Sequence, residues 1–457
     1  MLNNGQLYAY NILKAGYSVF LTGDAGTGKT YVLYKFIADA KAEGYNVMVA
    51  APTGIAASNL DGITAHRAFC LPLGVLTRDM EGYDAVPETL LETDIVVIDE
   101  ISMCRIDAFD CIMSKILTAN KHRMARGLNR IQLVLSGDFF QLPPVITPTE
   151  KGILDKYYGR DIEAGFAFNS VYWSMFDFKY IILTEIMRQG NAEFIDNLNM
   201  IRVGQKAYLN YFLDNCSKTE MVGAITLCGT NLEVNRINTI ELSKITGNEV
   251  VYKSRVEGDA HEVDCTANTF LTLKPGARIM TLVNNAGVFN NGTLGYVTTL
   301  DDDIIGLRLD DGTTCEIDRY TWDIFDYELT EDNKIKKKVV GQITQFPIKL
   351  AYAVTIHKSQ GQTYEALNLN PYCWDCGQLY VALSRVKDVH NMYLKTELDM
   401  RYLVVSLNVI SFYNEIVKTA NKPVDTSVNL IAKKEVKYSN NDELNKDIMS
   451  ILGKLRG

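Results

Sequence analysis

The chain has 457 residues, a net charge of −9 and nearly half its residues apolar. That length exceeds one compact domain and implies three or more packed units, while no apolar run is long enough to span a bilayer. The acidic balance counts mildly against a nucleic-acid binder, although a local row of donors makes a groove positive even on an acidic molecule. The start, "MLNNGQLYAY", lacks the basic and apolar segments of a signal peptide. A cytoplasmic protein is therefore expected, associated with the nucleoid if the source is bacterial. Nine scattered cysteines suit reduced thiols. The lone pair Cys373 and Cys376 in "CWDC" is read as packing rather than as a zinc or redox site.

In chain order, "SVFLTG" reads as a buried strand ending at glycine, and "KTYVLYKFIADAKAEG" as the helix after it. "NVMVAAPTG", "DIVVIDE" and "IQLVLSGD" are further strands, with helical segments such as "DAFDCIMSKILTAN" between them. This alternation predicts a parallel sheet with ligands at the strand C-terminal ends. Residues 70–92 lack a clear period and contain prolines, as a small insertion would. The pattern restarts with "YIILTEIMRQ", "AITLCGTN", the helical "NLEVNRINTIELSKI", "KLAYAVTIHKSQG" and "MYLK", which predict a second sheet domain. Between 263 and 343, short alternating runs broken by Asn-Gly and Asp-Gly predict a small antiparallel barrel inserted into that domain. "VVSLNVISFYNEIVK" reads as a helix, and the tail from about 421 is polar and mixed in charge.

The chemistry concentrates at strand ends. "GDAGTGKT" (Gly23, Asp24, Ala25, Gly26, Thr27, Gly28, Lys29, Thr30) meets every requirement of a phosphate-binding loop, with a strand before it and a helix after. Its glycines let backbone N–H groups wrap phosphates, Lys29 neutralises the β and γ oxygens, and the Thr30 hydroxyl ligates Mg2+. ATP and Mg2+ are the expected cofactors. Asp99 and Glu100 end the strand of "IVVIDE". Adjacent acids at such a place often cap helices, but beside a phosphate loop Asp99 suits the metal and Glu100 the attacking water. Gln141 in "GDFFQLPPV" suits a γ-phosphate sensor or a turn before prolines. Gln6 suits an adenine reader or a surface residue.

Taken in order, "GDAGTGKT", "APTGIAASNLDGITAHRAF", "VVIDEISM", "GDFFQLPPV", "LTEIMRQ", "ITQFPIKLAYAVTIHKSQGQT" and "GQLYVALSRV" resemble the motifs of superfamily 1 helicases. The resemblance is closest to the petite-integration-frequency (PIF) helicases of the RecD-like branch, and it covers residues 1 to about 415. "HRMARGLNRIQLVL" occupies the place of the family's signature region without its usual glycine pair. The resemblance implies two RecA-like α/β domains in tandem, at 1–69 with 93–183 and at 184–262 with 344–396. It places a wedge at 70–92, an SH3-like barrel at 263–343, and a C-terminal helix and tail at 397–457. It implies that Arg188 and Arg385 reach the γ-phosphate from the second domain, and that Thr53, Gly54, Thr64, His66, His357 and Lys358 contact a single strand. Taken singly, those strand assignments have alternatives. Thr53 and Thr64 suit helix caps, His66 suits packing or capping, and Phe69 and Tyr352 suit the core. Lys334, Lys336, Lys337 and Lys338 suit a solvated hairpin edge.

The expected activity is ATP-driven 5′-to-3′ movement on single-stranded DNA with unwinding of tailed or forked duplex, by a chain monomeric when free and without a membrane partner. The resemblance also implies work in DNA replication, repair and telomere maintenance. Rival readings are a translocase that strips proteins without unwinding and a nucleotide-operated switch for a protein partner. Stimulation of hydrolysis by an oligonucleotide separates the switch from the others.

Overall fold

The computed structural model describes residues 2–185, 191–261, 265, 267–285, 287–427 and 430. The first sheet has six parallel strands: β1 (Val19–Gly23), β2 (Val47–Ala51), β3 (Ile63–Thr64), β4 (Ile95–Ile98), β5 (Gln132–Ser136) and β6 (Lys179–Leu183). Their order is β3-β2-β4-β5-β1-β6. Every residue of β1, β2, β4 and β5 is buried, which is why these strands read as continuous apolar runs rather than alternating ones. Val19, Leu21, Val47, Val49, Ile95 and Val97 face the helices Asn4–Lys14 and Lys29–Ala42. The alternate residues Phe20, Met48, Ala50, Val96 and Leu133 face the helix Ile106–Ala125. One sheet thus builds two cores.

A second parallel sheet, in the order Ala353–Thr355, Ile225–Cys228, Leu367–Leu369, Met392–Leu394, packs around its own core. The two parallel sheets agree with the expected tandem α/β lobes. The inserted region differs from its expectation. Antiparallel strands run from Val250 to Leu350, a wider span than 263–343. Five of them pair from Thr314–Asp318 at one edge to Ile348–Leu350 at the other, an open order among the described residues rather than a closed barrel. The apolar run "KLAYAVT" is split for the same reason. Ile348–Leu350 pairs antiparallel with Arg278–Thr281, and only Ala353–Thr355 joins the parallel sheet.

A long hairpin, Tyr320–Leu329 with Ile335–Gln345, leaves the antiparallel region and docks on the first lobe. The Tyr327 hydroxyl bonds both the N–H and the carbonyl of Val49 at 3.0 Å, in the stretch of β2 that the short β3 leaves uncovered. Lys334 Nζ donates to the Gly44 carbonyl at 2.7 Å and Lys337 pairs with Asp61, so these lysines dock the hairpin rather than edge it in solvent. Lys338 pairs only with Glu328 of the facing strand. Residues 70–92 form turns and the helix Glu88–Glu92, pinned by Lys115 Nζ on the Gly82 and Ala85 carbonyls.

The helix Leu407–Ile416 returns to the first lobe. Its Phe412 stacks on Phe168 with ring centres 4.4 Å apart, inside a cluster that also holds Phe20, Phe139 and Trp173. Beyond it, Asn421 bonds the backbone N–H and carbonyl of Ile182 and closes the free edge of β6. No helix among the described residues is long and apolar enough to cross a membrane.

Candidate functional site

The phosphate loop lies between β1 and its helix. Gly23 has φ +151°, and a Cβ there would sit 2.3 Å from the Leu183 carbonyl oxygen, so only glycine lets β1 end beside β6. Gly28, in the left-handed region at φ +79°, caps the helix that starts at Lys29, whose first N–H groups have no intrahelical acceptors. Lys29 Nζ donates to the carbonyls of Gly23 (2.9 Å) and Asp24 (3.2 Å), within the concavity a phosphate would fill. Thr30 is exposed on the first turn of the helix.

Asp99 and Glu100 follow β4. Asp99 is buried and accepts the Glu100 N–H at 3.0 Å. Glu100 has φ +50°, a left-handed conformation unusual for a residue with a side chain and often found where function fixes geometry. Burial, and then the Asp99 carboxylate, push Glu100 up to about 7, and burial also raises Asp99. Gln141 is buried, with its amide 3.4 Å from Asp138.

The second lobe reaches this site. Gly377 (φ +69°) precedes the helix Gln378–Leu383, and a Cβ there would lie 2.4 Å from the carbonyl oxygens of Phe140 and Gln141. The Tyr380 hydroxyl accepts the Ala25 N–H of the phosphate loop at 3.3 Å. Gln360 Nε2 donates to Glu100 at 3.1 Å and to Gln141 at 3.4 Å, while its Oε1 is buried without a hydrogen bond. Arg385 is buried and donates to the carbonyls of Ser359 and Gln362 at 3.1 and 3.0 Å, which braces the loop carrying Gln360. Its charge bears on Glu100, lowering that carboxyl's pKa against the larger push of burial. Arg188 lies outside the described residues. Gln360 was missed in the sequence although it stands two places beyond Lys358 in the same motif.

Gln6 is buried, not superficial. Its side chain accepts the Asn3 N–H at 3.1 Å and donates to the Thr27 carbonyl at 3.0 Å, which joins the first helix to the phosphate loop. Beside it, a cavity of about 320 Å3 is lined by Asn3, Gly5, Tyr8, Leu183, Glu185 and Asn421.

Thr53 and Gly54 begin the helix after β2, and the Thr53 hydroxyl caps it by accepting the Ala56 N–H at 3.3 Å. Thr64 ends β3 with no such bond, and His66 is exposed two residues on. Phe69 is fully buried, as expected of a core aromatic. In the second lobe, His357 and Lys358 form a tight turn after Ala353–Thr355. His357 Nε2 is buried without a hydrogen bond, and Lys358 is exposed. Lys358 borders a cavity of about 570 Å3 shared with Lys274, Lys349, Asn231, Asn235 and the exposed ring of Phe270. Burial and then the Lys358 charge push Lys349 down to about 8. Amide, ammonium and aromatic groups together suit phosphates and bases. These residues are scattered over more than a hundred positions, and no local pattern joins them.

The family model of the PIF1-like helicases matches residues 1–209. The ATP-dependent DNA helicase Pif1 of Campylobacter jejuni is 31% identical over 439 residues, covering 87% of this chain and 94% of that protein. The Bacteroides Pif1 structure in complex with ADP-AlF4 superposes with a TM-score of 0.77 at 34% identity, over 92% of this chain and 97% of that one. The Bacteroides Pif1 structure bound to single-stranded DNA, also 34% identical with the same coverage, gives 0.67. Two parallel-sheet lobes meeting at a phosphate loop, with kinship at this identity and coverage, place the chain in the PIF1-like helicase family, as a helicase that hydrolyses ATP.

Proposed function

We propose that this chain is a DNA helicase that moves 5′ to 3′ along single-stranded DNA and unwinds tailed or forked duplex. The observation that carries the reading is the turn at 357–360. Its Gln360 end touches Glu100 and Gln141 of the other lobe, while Lys358 borders the lysine and asparagine cavity. One tight turn thereby joins the site of hydrolysis to the seat of the strand. ATP binds on residues 23–30, with the base in the cavity beside Gln6. Thr30 and Asp99 would hold Mg2+, which supplies charge neutralisation at the phosphates. Glu100 accepts the proton of the attacking water, and Gln141 and Gln360 orient that water. As the lobes close, Arg385 exchanges loop carbonyls for γ-phosphate oxygens, joined in the family's pattern by Arg188.

The strand passes from Lys274, Lys349 and Lys358 across the cleft to Thr53, Thr64 and His66. Residues 70–92 act as the wedge ahead of it, and the inserted antiparallel region flanks the second lobe. Both sites lie within one chain, so a monomer suffices. The Bacteroides relative bound to single-stranded DNA supports this partner, and the 5′-to-3′ direction rests on family resemblance. The test is a partial duplex with a 5′ tail against the same duplex with a 3′ tail, with ATP and Mg2+. Strand separation on the 5′-tailed substrate alone is expected. Separation on the 3′ tail alone overturns the direction. Hydrolysis stimulated by the strand without separation on either favours a translocase that displaces proteins.

A further inference from the structure

Arg202 ends the helix Ala192–Arg202 of the second lobe, and its guanidinium crosses into the first. Nη1 lies 3.0 Å from Asp24 in the phosphate loop. Nη2 and Nε donate to Asp138, after β5, at 2.8 and 3.1 Å. The Phe140 ring centre lies 4.4 Å from the guanidinium carbon and that of Tyr413 lies 5.4 Å from it. The Tyr413 hydroxyl completes the group, bonding Asp138 at 3.3 Å and the Thr22 hydroxyl at 2.6 Å. Asp138 is fully buried.

This arrangement answers an electrostatic problem. Asp24 puts a carboxylate into a loop that must hold a polyphosphate, and like charges at such range repel strongly in a partly buried site. Burial pushes Asp24 up, and Arg202 is the leading influence against that rise. Asp138 is held below the ordinary carboxylate range despite its burial, again by Arg202. A planar fork with donors on both edges serves two carboxylates at once, which a single ammonium does not.

We propose that Arg202 is a positioning residue for the nucleotide: it cancels the Asp24 charge inside the phosphate loop and ties that loop to the second lobe. The affinity of the loop for polyphosphate thus depends on where the second lobe stands. The inference rests on the reading of residues 23–30 as the phosphate loop.

The experiment measures binding of a fluorescent ADP analogue, and KM and kcat for ATP with single-stranded DNA, on the full chain. Arg202→Met should weaken nucleotide binding by about tenfold or more, the scale of one uncompensated charge near the site. Asp24→Asn placed in the Arg202→Met background should restore affinity to within about threefold of the parent chain, because the offending charge is gone. A purely structural role for Arg202 gives no such rescue. Arg202→Met strands Asp138, so if it fails to fold, Arg202→Met with Asp138→Asn replaces it as the background. Parent-like binding in the Arg202 variant, or no rescue by Asp24→Asn in the folded background, overturns the proposal. Lys29→Ala separates it from the reading beneath. Loss of hydrolysis there upholds the phosphate loop whatever Arg202 does, and parent-like binding and hydrolysis there would remove the loop assignment itself.

Discussion

The two lobes repeat one topological idea and equip it for different anions. In the first, β1 runs into a glycine-rich loop, and the backbone itself curls toward a phosphate before the helix begins at Lys29. In the second, the strand Ile225–Cys228 reaches its helix after two residues, with Thr230 capping it through the Glu233 N–H. No loop is left there to wrap a ligand. Cationic and amide side chains from neighbouring elements gather instead around a wider cavity. A wrapped backbone fixes one phosphate in place, whereas an open row of side chains lets a polyanion be released and regripped. A motor needs one of each.

The largest expected effect tests whether the second lobe serves chemistry in the first. Arg385→Ala should retain ADP affinity and lose about 1000-fold in strand-stimulated hydrolysis, the scale of an arginine finger. Arg385→Lys should rescue little, since an ammonium offers no planar fork. Near-normal turnover in the alanine variant would dissolve the division of labour between the lobes.

Glu100→Gln should keep nucleotide bound and slow turnover by about 100-fold. Because Glu100 is pushed up to about 7, its acid form dominates below that pH and accepts no further proton. In the parent chain kcat should therefore rise with pH and level off above about 7, and in Glu100→Gln that step should vanish. The same shift has a stability consequence of opposite sense. A carboxyl whose folded pKa lies above its unfolded value favours the fold while protonated, and that contribution fades as pH rises from its ordinary value of 4.5 through about 7.

Strand binding sharpens the comparison from the other side. Removing Lys349 and Lys358 together should leave nucleotide affinity intact, weaken single-strand binding, and flatten its log–log salt slope by about 0.7 for each phosphate no longer neutralised. With Lys349 pushed down to about 8, strand affinity of the parent chain should fall as pH rises through that value. An unchanged salt slope in the double variant would move the strand elsewhere. The smallest effect belongs to Tyr327→Phe, which removes both bonds to Val49. A loss of about 1 kcal/mol is expected where the hairpin docks. Hydrogen exchange at Val49 reads it, and unchanged protection there would make the docking incidental.

What was legible in the sequence follows from locality. The phosphate loop, the pair Asp99 and Glu100, and the first sheet are written in contiguous runs, because a buried parallel strand is apolar at every position and a phosphate loop needs its glycines at fixed spacing. The extent of the antiparallel region was less legible, since Ile348–Leu350 and Ala353–Thr355 read as one apolar run and only their partners separate them. Arg202 was illegible, because a basic residue in the last turn of a helix is an ordinary C-terminal signal, and its partners lie in the phosphate loop and after β5. His357 and Lys358 came with the motif, but their setting came from Lys274, Lys349 and Asn231, which share a cavity and no pattern.

The return of Leu407–Ile416 to the first lobe bears on the order in which the protein matures. Phe412 and Tyr413 complete an aromatic core whose other ring partners are all made by residue 180. At ordinary ribosomal rates, on the order of tens of seconds separate the last of those residues from the helix that covers them. For that interval a nascent first lobe presents an open aromatic hollow to the cell, which is where a chaperone would be expected to bind. Ribosome-bound chains halted before Val404 should be cut by protease within the first lobe, and chains extended past the helix should be protected. Equal protection of both would show that the hollow closes without its own C-terminus.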